Sequence, residues 1–196
     1  APVIAAFAEQ AKHSAVRTVA VDGDSGKKQV SVLQLINAYR FLGNRWANLD
    51  PLKRHERPVI HELEPSFYGF SNADLNETFN TGSFKMGQDR ATLNQILDAL
   101  RATYCSSIGV EYMHMTDTAQ KRWIQDRLEP IRGMASYTPE QKKHLLERLT
   151  AAETLERYLH TKYVGQKRFS LEGGEALIVS MDEVVHTGAA QFGIQE

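Results

Sequence analysis

With 196 residues, 42% of them hydrophobic and 24% charged, the chain reads as an ordinary soluble globular protein of one or two domains, long enough to bury a sizeable core. A net charge of −1 gives no global pull toward nucleic acid or anionic membrane, and no apolar run approaches the roughly 20 residues that span a bilayer. Cys105 stands alone, which excludes an internal disulfide and fits a reducing compartment.

The opening stretch, APVIAAFAEQAKH, is too short and too interrupted by Glu9 and Lys12 for a secretion signal. It begins without Met, as expected of a cut or processed piece. Residues 1–29, which close with VAVDGDSGKKQ, lack apolar periodicity and are expected to form a flexible linker. The first strong element begins near Val30. Val32, Leu35, Ile36, Tyr39, Leu42 and Trp46 recur at three- and four-residue spacing, a single helical stripe, and Asp50-Pro51 closes the region. Residues 50–70, with Pro51, Pro58 and Pro65, read as an extended segment along the surface.

Further helices are marked by their starts, where side chains must serve the first backbone N–H groups. Ser71 with Asp74, Thr92 with Gln95, Thr138 with Pro139 and Gln141, and Thr150 with Glu153 each carry this signature, and Thr118–Pro130 adds another helix. Near KRFSLEG the period changes. Phe169 and Leu171 alternate with Arg168 and Ser170 as in a strand, Gly173-Gly174 turns, and Ile178, Met181 and Val185 share a helical face that Gly188 could cap. The expected fold is mainly α, with a strand–turn–helix at its end.

Complete chemical motifs are absent. The seven histidines are scattered, and His55 and His61 are six residues apart across Pro58, so they cannot share a helix face as an H-E-x-x-H metal site requires. No metal site is expected. Cys105 reads as a small buried hydrophobe. GQKRFS and LEGGEA match neither phosphate-loop pattern, so the glycines read as a tight turn in preference to an anion cradle. Trp123 is expected to pack its helix, leaving Glu111, His114, Lys121 and Arg122 solvated. Arg40 and Arg45, beside Tyr39 and Trp46, either grip an anion or snorkel over the core edge. No catalytic residue is assigned.

Four long blocks carry a resemblance. Leu33–Leu52 (LQLINAYRFLGNRWANLDPL), Glu62–Phe84 (ELEPSFYGFSNADLNETFNTGSF), Ile108–Glu129 (IGVEYMHMTDTAQKRWIQDRLE) and Leu149–Ile178 (LTAAETLERYLHTKYVGQKRFSLEGGEALI) closely resemble the thiamin diphosphate-dependent first component of 2-oxoglutarate dehydrogenase. The Ala-rich residues 1–15 resemble that family's linker. The family is several times longer, and its G-D-G…N-N cofactor segment and H-R-G-R-L-N motif do not occur here. Asp22–Gly26 (DGDSG) is only an echo of the first. The resemblance therefore implies an N-terminal fragment, inactive by itself: linker 1–29, helical domain 30–148, and at 149–196 the start of the thiamin-binding α/β domain.

For the full-length parent it implies thiamin diphosphate and Mg²⁺, attack of the cofactor ylide on the 2-keto carbon, loss of CO₂, and transfer of succinyl to lipoamide on a dihydrolipoyl succinyltransferase partner. It further implies a homodimer, without nucleic acid or membrane, in a bacterial cytoplasm or mitochondrial matrix. Phe169 is implied to line the thiamin and substrate pocket, flanked by Arg168 and Ser170. One departure is the family's LIPM, which is Leu177-Ile178-Val179-Ser180-Met181 here. A competing reading of the residues is an autonomous helical interaction module with an aromatic patch of Tyr39, Trp46 and Trp123.

Overall fold

The computed structural model describes residues 23–195, in two compact units that part between Met134 and Ala135. Of the expected linker, residues 1–22 lie outside the described residues. Gly23–Gln29 are helical, the opening two turns of α1 (Gly23–Trp46). Lys28 explains why this part is held. Its ammonium meets the Asp74 carboxylate at 2.6 Å and Glu77 at 3.0 Å, tying the start of α1 to the segment near β1.

In the first unit α1 lies against α2 (Leu93–Tyr104). The predicted stripe is the buried one: Val32, Leu35, Ile36 and Tyr39 meet Leu93, Ile96, Leu97, Leu100 and Tyr104 in one core. Gly43 permits the close approach, since a Cβ there would stand 2.6 Å from that of Tyr104. The 50–70 segment differs from expectation. Its first part is exposed and opens with a turn in which the Asp50 carboxylate accepts from the Leu52 and His55 N–H groups, while 3₁₀ turns at His61–Leu63 and Pro65–Tyr68 bury Leu63 and bring Phe70 into the core. Ser71 and Asp74 form the predicted capping box, opening a 3₁₀ turn at Asn72–Asn76. Strands β1 (Thr78–Asn80) and β2 (Arg90–Thr92) pair antiparallel, Phe79 opposite Ala91. They deliver the chain to Thr92, whose hydroxyl caps α2 as predicted. Helix α3 (Thr118–Leu128) starts under Asp117.

The second unit holds α4 (Pro139–Lys162) and α5 (Ala176–Phe192). Thr138 caps α4 as expected, but Thr150 starts no new helix. Its hydroxyl donates instead to the Leu146 carbonyl one turn back, so the helix continues. The boundary expected at 148/149 therefore falls inside α4. Residues 166–171 take no regular secondary structure and have no ladder partner among the described residues, so the predicted strand is absent. Helix α5 passes through Gly188 and ends at Gly193, which takes the left-handed conformation (φ 63°) that favours glycine. No side chain of α4 or α5 is fully buried.

Candidate functional site

Two polar constellations stand out, one in each unit. In the first unit, Glu129 lies wholly inside the protein, 0% exposed. Its Oε1 accepts from Arg40 Nε at 2.8 Å and from the Tyr104 hydroxyl at 2.6 Å, while its Oε2 accepts from the Lys85 backbone N–H at 2.9 Å. Arg40 also donates to the Ser83 hydroxyl and carbonyl. Burial beside Glu129 raises the Tyr104 phenol far above its ordinary pKa, so it remains a donor. With its proton committed to Glu129, Tyr104 must accept from Tyr112, whose oxygen lies 2.9 Å away. Arg122 donates at 2.9 Å to Gln125 on the buried side of α3. The chain of bonds thus links α1, α2, α3 and the 81–85 loop. Arg40 does grip an anion, a carboxylate of its own chain, and every member has an internal partner.

The second constellation surrounds Phe169. The structure puts Phe169 at the surface, 95% exposed, on the irregular stretch between α4 and α5. Its neighbours are bound to α4. Ser170 donates from its hydroxyl to Glu156 Oε2 at 2.8 Å, and the Leu171 N–H donates to Glu156 Oε1 at 2.6 Å. Arg168 donates to the Glu156 carbonyl at 3.3 Å and also contacts His160. These donors hold the Glu156 carboxyl below its ordinary pKa, the Leu171 amide first. Beside this anchor is a cleft of about 430 Å³ lined by Glu153, Glu156, Arg157, His160, Glu172 and Glu175. Sequence reasoning missed Glu156. Its signal was the Glu156/His160 pair, four apart on one helix face, next to the basic KR of the turn.

The turn after Phe169 is a plain one. Gly173 has φ 85°, and its N–H donates to the Glu175 carboxylate, so that amide is not free for a ligand. The four glutamates around the cleft oppose an anion. Cys105 is buried at the end of α2, where burial pushes its thiol up to about 11. Among the described residues no group of three or more His, Cys, Asp or Glu is placed to hold a metal ion.

The aromatic patch of the competing reading does not form. Tyr39 is 1% exposed in the core, its hydroxyl donating to the Leu63 carbonyl, and Trp46 is half-buried beneath Arg57. Trp123 is 58% exposed, so it does not pack α3 as expected. It stays on the outer face with the Arg127 guanidinium 3.8 Å from its ring centre, while Gln125 takes the buried side.

No family model matches the chain. Among known proteins it is similar to the 2-oxoglutarate dehydrogenase E1 component of Cupriavidus necator, 55% identical over the whole of this chain and 21% of the relative. The E1 component of Azotobacter vinelandii is 46% identical over 95% of this chain and 20% of the relative. That of Haemophilus influenzae is 44% identical over 91% and 19%. The chain thus spans about one fifth of the length of the curated relatives it matches.

Proposed function

We propose that this chain, homologous throughout to a segment of 2-oxoglutarate dehydrogenase E1 components, serves in an enzyme that decarboxylates 2-oxoglutarate and succinylates lipoamide on a dihydrolipoyl succinyltransferase partner. The observation that carries this reading is the 55% identity across the full chain. A match of that extent far exceeds what any short motif supplies. In this reading the enzyme is a cytoplasmic homodimer, and residues 149–196 belong to its thiamin-binding domain. No helix among the described residues is long and apolar enough to cross a membrane.

The described residues do not fit the cofactor's Mg²⁺ and diphosphate. No metal-holding group occurs among them, and the cleft beside Phe169 carries Glu153, Glu156, Glu172 and Glu175, whose charge opposes a diphosphate. In the proposed enzyme this chain supplies scaffold and one wall. Phe169 is that wall's candidate contact with thiamin or substrate, with Arg168 and Ser170 fixing its backbone. Its exposed ring on a fastened stretch supports the assignment.

Calorimetric titration of the 196-residue chain with thiamin diphosphate and Mg²⁺ tests the division of labour. No Mg²⁺-dependent binding is expected, and tight binding would overturn it. The protein expressed from its complete reading frame is expected to reduce ferricyanide only when 2-oxoglutarate and thiamin diphosphate are both present. Reduction with pyruvate but not 2-oxoglutarate would refute the substrate assignment.

A further inference from the structure

Phe169 has no core to lean on, yet both of its chain neighbours are bonded to α4. The bonds converge on one residue. Both carboxylate oxygens of Glu156 are used separately, Oε2 by the Ser170 hydroxyl and Oε1 by the Leu171 N–H, while its carbonyl receives Arg168. The Ser170 oxygen in turn accepts from the Glu172 N–H at 3.1 Å, which closes the turn behind the ring. Residues 163–175 form no helix or ladder, so the α4 face is what gives this stretch a fixed path. We propose that Glu156 is a positioning residue, clasping residues 168–171 to α4 so that the Phe169 ring is presented outward to the reacting ligand. The functional half of this proposal rests on the reading of Phe169 as a pocket residue.

The chemistry is specific to a carboxylate. Two donors of different kinds, a hydroxyl and a backbone amide, approach two different oxygens. A glutamine offers one acceptor oxygen and turns an NH₂ toward the second donor. An alanine offers none, but it is a better helix former and leaves α4 intact. The clasp is therefore separable from the helix that carries it.

Amide exchange in the complete enzyme, followed by mass spectrometry of overlapping peptides across residues 150–175, reads the clasp directly. In E156A the Leu171 N–H is expected to exchange about three- to tenfold faster while α4 amides keep their rates, and E156Q is expected to fall between E156A and the parent. Unchanged Leu171 exchange in E156A overturns the clasp. Steady-state kinetics on the complete enzyme read the function. E156A and F169A are each expected to lower kcat/KM for 2-oxoglutarate by about tenfold, with a combined loss well short of the product of the two. Strictly multiplicative losses overturn the positioning role. If F169A alone leaves the kinetics unchanged, the pocket reading of Phe169 fails, and the exchange experiment still decides whether Glu156 holds the loop.

Discussion

Arg40 and Glu129 show how strongly a residue's meaning depends on what folding places beside it. In the sequence Arg40 is one cation next to a tyrosine, and Glu129 is the last letter before a proline. In the fold each is the other's counter-charge inside the core, 3% and 0% exposed. A buried ion pair is costly to break from one side, because the remaining charge stays in the interior without a partner. Arg40→Ala is expected to destabilise the first unit by about 3–5 kcal/mol, read from the shift in the urea midpoint at constant slope. Cys105 makes an opposite kind of prediction. Burial raises its thiol to about 11, so at pH 8 the thiolate is scarce as well as enclosed. A disulfide reagent such as DTNB is expected to leave it untouched in the native chain and to titrate one thiol in urea.

Among the elements, α4 carries the clearest lesson. Two threonines, Thr138 and Thr150, precede capping-box spacings in the sequence, yet only Thr138 is a cap. Its hydroxyl accepts from the Gln141 N–H, while Thr150 points its proton at Leu146 within an unbroken helix. Thr138→Ala is expected to cost about 1 kcal/mol, and Thr150→Ala to change stability by less than about 0.5 kcal/mol, both followed by the thermal loss of helical circular dichroism. A large loss with Thr150→Ala would mean that the helix starts anew there. The stripe of α1 and the Thr92 box of α2 were legible because periodicity and capping are local. The 3₁₀ turns that fold residues 61–70 onto the core were not, since Pro51, Pro58 and Pro65 obscure any period across the 50–70 segment. The strand at Phe169–Leu171 was misread because alternation alone cannot supply a ladder partner. Glu156 was invisible for a related reason: its partners lie 14 and 15 residues downstream, across a turn of unspecified path.

At the scale of the molecule, the two units differ in what holds them. The first has a continuous apolar core and a satisfied internal polar network. The second has no fully buried side chain on either helix, and Leu155, Tyr158, Met181, Val184 and Val185 all remain open to solvent. Residues 135–138, which open the second unit, are exposed and irregular. Limited trypsin or chymotrypsin digestion is expected to leave a resistant piece ending near Met134 and to degrade the remainder through α4 and α5. Survival of an intact 196-residue band would contradict this. The Arg40–Glu129 bond also bears on descent. Its partners lie 89 positions apart in the chain, yet neither codon can drift alone without stranding a charge in the interior. A lineage that replaces one must pass through a weakened intermediate or change Ser83, Tyr104 and the opposite charge almost together. The two sites therefore behave, in heredity, as a single locus written in two places.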